Sequence, residues 1–170
     1  NIEDPGISEI LAQQKEEANT QFARFIIKNY INWLNGKGDD KPILSHTALK
    51  EKVFPSISEK QPVFLFVIDN LRYDQWKSIQ PFIHNYFYVE NEDIHYSILP
   101  TATHYARNAL FSGLLPSEIE KKYPGLWLNE NDEGGKNQHE QELLAEYLKR
   151  HGKNVKFSFY KILNLEFGKK

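Results

Sequence analysis

Apolar residues fall into two regimes along this chain. In residues 1 to about 60 they recur at roughly helical spacing, as Ile10, Phe22, Ile26, Tyr30 and Trp33-Leu34. That period predicts a helix with an apolar stripe. Asp4-Pro5 and Ser8 supply start signals, with proline and a capping hydroxyl in their usual places. Asn35-Gly36-Lys37-Gly38-Asp39-Asp40 breaks the helix. A second, short helix is predicted to start at Ser45, whose hydroxyl can cap Thr47 to Val53, and Phe54-Pro55 stops it.

At Pro62 the pattern changes. Val63-Phe64-Leu65-Phe66-Val67-Ile68 is a continuous run of strand-forming residues, bounded by Pro62 and Asp69-Asn70. A run without alternation points to a strand covered on both faces, as in a parallel sheet. A helix follows from Asp74 to about Tyr86, with Trp76, Ile79, Ile83 and Phe87 on one face and Pro81 to bend or break it. His95 to Leu99 reads as a second strand. Thr103 to about Ser112 reads as a helix closed by Gly113. Pro116 to Gly135 reads as a loop, Gln138 to His151 as an amphipathic helix ending at Gly152, and Val155 to Tyr160 as a third strand. The βαβαβ-like order predicts an α/β fold with a mostly parallel sheet between helices. Two parts are expected, a helical linker over 1–60 and the α/β part over 61–170. Trp33, Trp76, Phe64, Phe66 and Phe82 are expected in the core.

Composition narrows the class. The 170 residues suit one ordinary domain, or a small domain with a helical attachment. A formal charge of −2 argues against a dedicated nucleic-acid surface. There is no cysteine, so a disulfide framework and a thiolate zinc site are excluded, and any metal must sit on Asp, Glu, His or hydroxyl ligands. No apolar run is long enough to span a bilayer, which leaves a cytoplasmic chain as the expectation. There is no methionine, even at position 1, so the chain is expected to be a piece of something longer.

The candidate chemistry lies where open α/β folds place it, at the carboxyl end of a strand. Asp69 ends the apolar run and is placed to bind a divalent cation, although Asp-Asn is equally good turn chemistry. Thr101 or Thr103 could each cap the helix that follows Pro100. A threonine hydroxyl becomes a nucleophile only when a base or metal lowers its pKa. Asp69 and Thr103 therefore make chemical sense as a unit. Arg107 lies one turn after Thr103 and could reach a phosphate or form a structural ion pair. Lys136 and Asn137 follow Gly134-Gly135 and could donate to a phosphate, or Asn137 could simply cap a helix. Arg72 and Asp74 are expected to pair. The histidines show no metal-ligand spacing, and no glycine-rich phosphate loop is present.

Val67-Ile68-Asp69-Asn70-Leu71-Arg72-Tyr73-Asp74, Leu99-Pro100-Thr101-Ala102-Thr103 and Arg107-Asn108-Ala109-Leu110-Phe111-Ser112-Gly113 together resemble a PglZ domain of the alkaline phosphatase-like superfamily. The second and third blocks also resemble the nucleophile region of nucleotide pyrophosphatase/phosphodiesterases. Aligning the family glycine on Gly113 puts the nucleophile on Thr103 and demotes Thr101, and the family's metal-binding aspartate falls on Asp69. The longer match, through Gly113-Leu114-Leu115-Pro116 and Glu133-Gly134-Gly135-Lys136, is similar to PorX-type response regulators. The resemblance implies a zinc-dependent phosphodiesterase with two Zn²⁺ ions, other divalent metals being possible. Its implied substrates are cyclic or linear oligonucleotides or another phosphodiester. Its implied partners are a receiver domain, a sensor kinase and a second copy in a homodimer, with a role in type IX secretion. The superfamily's further Asp and His ligands are expected beyond Lys170, so this piece alone is expected to bind metal weakly and be inert. The alternatives are a non-catalytic signalling module and a stand-alone nucleotide-binding domain.

Overall fold

The computed structural model describes residues 5–37, 41–58, 60–129, 131–162 and 164–169. The chain divides into two compact units, Asn1–Pro42 and Ile43–Lys170. The first unit is one long helix, α1 (Pro5–Leu34). Pro5 occupies the first turn, where its missing N–H costs nothing. Ser8 lies inside the helix and so does not start it, and Asp4 lies outside the described residues. No residue of α1 is buried. Its aromatic residues contact each other along the helix, Phe25 meeting Trp33 edge-on at 5.5 Å between ring centres. Gly36 ends the helix in the left-handed conformation, φ 65°, as the Asn-Gly break predicts.

The second unit is built on helices. These are α2 (Ser45–Lys52), α3 (Tyr73–Ile83), α4 (Thr103–Ser112), α5 (Pro116–Lys122), α6 (Glu140–Arg150) and the four-residue α7 (Leu165–Gly168). Single 3₁₀ turns occupy Phe54–Ser56 and Pro124–Leu126. The core joins Leu49 of α2, Phe54, Phe111 of α4, Ile119 of α5, Trp127, and Leu143, Tyr147 and Leu148 of α6. The α5 helix corrects the expectation of a loop from Pro116 to Gly135. Pro116 sits where a helix accepts proline, Glu118 takes the Leu115 N–H at 2.7 Å, and Ile119 is fully buried. That local capping box and one buried anchor outweigh the turn-forming residues around them.

Tyr147 ties the helices together. Its hydroxyl donates to the His46 carbonyl of α2 at 3.1 Å, its ring packs on Phe54 at 4.7 Å, and the Arg150 guanidinium lies over it at 5.3 Å. Burial pushes its phenol above the usual value. Gly113 ends α4 with φ 65°, and a Cβ there would fall inside the Tyr147 ring. The Ser45 hydroxyl does not cap α2. It accepts the Ile98 N–H at 3.1 Å, while Thr47 closes the turn by taking the Leu44 N–H at 3.1 Å. Leu44 and Tyr96 form a parallel bridge, which is the β-pairing among the described residues.

The three expected strands form no ladder among the described residues. Val63–Ile68 is extended and exposed, with Phe64 77% and Phe66 80% accessible, and Phe82 is 70% accessible. These three are therefore not core, and Trp33 and Trp76 are only half-buried. The physical reason is plain: an apolar strand is buried only when neighbouring strands and helices cover it, and no described segment covers this one. Val155–Tyr160 alternates instead. Val155, Phe157 and Phe159 pack on the core, while Lys156, Ser158 and Tyr160 face solvent.

Helix α3 is fastened to the segment after it by one carboxylate. Glu92 accepts from Tyr73 at 3.0 Å, from Trp76 at 2.9 Å and from Lys77 at 2.8 Å. Donation by Lys77, Trp76 and Tyr73 holds its carboxyl at about 2, below the ordinary 4.5. The fold thus favours the ionised form, so this support is complete above pH 4.5 and disappears as pH falls towards 2. In an acid titration followed by tryptophan fluorescence, Glu92→Gln should flatten the change over that window. Gly113→Ala combines a left-handed alanine, about 1–2 kcal/mol, with overpacking against Tyr147, about 1–3 kcal/mol. Its loss in urea unfolding should be the sum, roughly 2–5 kcal/mol.

Candidate active site

Asp69 sits in a turn directly after the apolar segment. Asn70 takes the left-handed conformation, φ 59°, which asparagine tolerates, and the chain turns away into α3. Thr103 opens α4. The helix is capped by Ala102, with no side-chain cap at all, so neither Thr101 nor Thr103 is spent on capping. The Thr103 hydroxyl instead lies 3.5 Å from Asp69 Oδ2, long for a hydrogen bond. Arg107, one turn along α4, brings Nη1 to 3.3 Å from the same oxygen.

Behind this pair is a buried polar layer. Glu140, the first residue of α6, is 1% exposed. Arg107 Nη2 donates to its Oε2 at 2.6 Å, and Lys161 Nζ approaches the same oxygen at 3.1 Å. Lys161 is the next residue on the side of Val155, Phe157 and Phe159, and although exposed it reaches Glu140 with its ammonium. Among the described residues two buried atoms of the layer, Arg107 Nε and Glu140 Oε1, have no hydrogen-bond partner, although Oε1 lies 2.6 Å from Arg107 Nη2. Asn137 donates to the Thr103 carbonyl at 3.5 Å and to Asn108 Oδ1 at 3.3 Å. Asn108, 2% exposed, donates to the Lys136 carbonyl at 3.0 Å. One carboxylate and one hydroxyl are thus presented outward, with a guanidinium, a carboxamide and the positive end of a helix dipole beside them. Such a set suits an anion that carries or meets a cation.

Residues 48–169 match the family model of the BREX system PglZ alkaline phosphatase-like domain. The chain belongs to the PglZ family. Residues 1–34 match the PorX response regulator linker domain. No curated protein matches the chain. Among the described residues no helix is long and apolar enough to cross a membrane.

Alkaline phosphatase-like domains are generally metal-dependent, so the fit of a PglZ metal to these residues can be tested. Two oxygens at about 2.1 Å from a tetrahedral ion stand about 3.4 Å apart. The 3.5 Å between Asp69 Oδ2 and Thr103 Oγ1 matches that edge. Among the described residues no group of three or more His, Asp or Glu could hold an ion. The pair Asp69 and Thr103 supplies two oxygen donors 3.5 Å apart.

Of the residues singled out from sequence, Asp69, Thr103, Arg107 and Asn137 come together. Lys136 joins only through its carbonyl, since its ammonium donates to the Asp132 carbonyl. Asn137 does not cap α6, which starts at Glu140 with His139 before it. Arg72 and Asp74 pair at 2.8 Å. Sequence reasoning missed Glu140, Lys161 and Asn108. An acid at a helix start looks like an ordinary dipole partner, and its burial has no local signature. The parity of Lys161 was available in the pattern, as was a lone Asn beside Ala109, Phe111 and Ser112 on a buried helix face. Removing the Glu140 carboxylate leaves two cations facing each other in a partly buried site. Glu140→Ala should therefore lose about 3 kcal/mol of stability, the low end for a broken buried pair because both partners keep some solvent. Thermal unfolding at neutral pH checks this.

Proposed function

We propose that this chain is part of a phosphodiesterase of a response regulator, with Thr103 as nucleophile and Asp69 as metal ligand. The observation that carries the reading is the Thr103 hydroxyl, unused as a cap and directed at Asp69. In this reading an α/β sheet includes the Val63–Ile68 segment, and the helical first part is a linker that passes a receiver domain's signal to the catalytic domain. The PorX linker match supports that context. A sensor kinase, a homodimeric assembly, a cytoplasmic setting and a role in type IX secretion belong to the same proposal.

Asp69 and Thr103 would hold Zn²⁺. Bound there, the ion supplies a lowered pKa for the Thr103 hydroxyl and neutralises charge on the phosphoryl oxygens. Thr103 Oγ1 then forms a bond to phosphorus as the leaving-group oxygen departs, and water later releases the phosphoryl group. Arg107 and the amino end of α4 stabilise negative charge on the non-bridging oxygens. Asn137, held against the Thr103 carbonyl, supplies a further amide donor. The substrate is a phosphodiester, with linear or cyclic oligonucleotides the class in view.

In the full-length protein, Thr103→Ala should remove hydrolysis of a p-nitrophenyl phosphodiester by several orders of magnitude while leaving the folded content by circular dichroism unchanged. Undiminished turnover rejects Thr103 as nucleophile. Chelation followed by Zn²⁺ addition should abolish and restore the wild-type rate. A full-length protein that holds no metal favours the non-catalytic signalling reading.

A further inference from the structure

The Arg107 guanidinium is divided between two carboxylates. Nη1 makes a long 3.3 Å contact to half-exposed Asp69, and Nη2 a short 2.6 Å bond to buried Glu140. Two buried atoms of this layer, Arg107 Nε and Glu140 Oε1, have no hydrogen-bond partner among the described residues, although Oε1 is in ion-pair contact with Nη2 at 2.6 Å. Side-on pairing of a guanidinium with a carboxylate uses Nε and Nη2 together, and it is the stronger arrangement. Half of that fork is already made. The other half is not: Nε is unused, and Oε1 lies 2.6 Å from Nη2 as an ion-pair contact without hydrogen-bond geometry, while Nη1 is occupied at Asp69.

We propose that Arg107 is the place-holder for the cation at Asp69, and that Glu140 is the positioning residue that draws Arg107 back when the cation arrives. As long as no cation sits at Asp69, Arg107 supplies the positive charge beside it. When a cation takes Asp69, the long contact is lost. Arg107 turns side-on to Glu140, so that Nε donates to Oε1 while Nη2 keeps Oε2, and both atoms gain a hydrogen bond. Its freed Nη1 is left beside Thr103, able to meet a phosphoryl oxygen. Lys161, 3.1 Å from Oε2, holds the Glu140 carboxylate in place while Arg107 moves. The inference rests on the reading of Asp69 as a metal ligand.

The two carboxylates compete for one guanidinium, so variants on either side of it should move metal affinity in opposite directions. Mn²⁺ binding to the full-length protein, followed by the electron paramagnetic resonance of free Mn²⁺, measures this without turnover. Arg107→Gln removes the competitor and should tighten binding about two- to fivefold, the range expected for a half-exposed ion pair. Glu140→Gln releases Arg107 towards Asp69 and should weaken binding by a similar factor. Arg107→Lys keeps the charge and loses the fork, so it should not tighten binding. Unchanged or weaker affinity in Arg107→Gln overturns the proposal, as does equal tightening in Arg107→Lys. These two variants suffice if Glu140→Gln does not fold. Asp69→Asn separates the two readings. If it leaves Mn²⁺ affinity unchanged, Asp69 is no ligand and both readings fall. If it weakens binding while Arg107→Gln does not tighten it, the place-holder alone is rejected.

Discussion

A carboxylate taken out of water must have cations brought to it, and this constraint at Glu140 organises the site. Burial of an unpaired ion costs several kcal/mol, more than most single contacts return. Glu140 meets the demand with Arg107 from α4 and Lys161 from the extended segment at the far side. Each cation is drawn inward by the same charge, and each carries something with it. Arg107 fixes the first turns of α4, and with them Thr103. Lys161 donates to the Asn137 carbonyl at 3.0 Å, which steadies the loop that leads into α6. The four charged groups, Asp69, Glu140, Arg107 and Lys161, sum to zero, so any cation added would leave an excess of positive charge for a phosphate.

The rest of the second unit holds the two ends of that arrangement at a fixed separation. Helix α4 has Thr103 at one end and Gly113 at the other, and the Gly113 end lies flat on the Tyr147 ring. Tyr147 and Glu140 are two turns apart on α6, so both ends of α4 are referenced to one helix. Arg150 adds a third tie, donating to the Tyr123 hydroxyl at 3.0 Å and to the Ser112 carbonyl. The amino end of α4 is thereby a stiff platform, as the proposed catalysis requires.

Much of this was legible in the residues. The bounds of α4, the positions of Asp69 and Thr103 and the family all follow from local motifs, because helix stops, strand ends and turns are short-range chemistry. The exposed Phe64 and Phe66 were not, since burial of a strand depends on partners distant in sequence. Nor was the use of Ser45, whose hydroxyl serves a backbone N–H from Ile98 in place of its own helix. Glu140 illustrates the same limit: its residue type and place fit a solvated helix start, and only the packing of α4 and the 155–161 segment makes it buried.

The alternating segment from Val155 to Lys161 acts as a ruler between core and site. Three apolar side chains set its parity, and the next residue on their side is Lys161, exposed but tied to Glu140. Losing or gaining one residue between Gly152 and Lys161 would turn either the phenylalanines or the lysine to the wrong face. A two-residue change would keep parity and still carry the ammonium about 7 Å along the segment. The length of this stretch is therefore constrained even at its solvent-facing positions, where Lys156 and Ser158 are themselves free to vary.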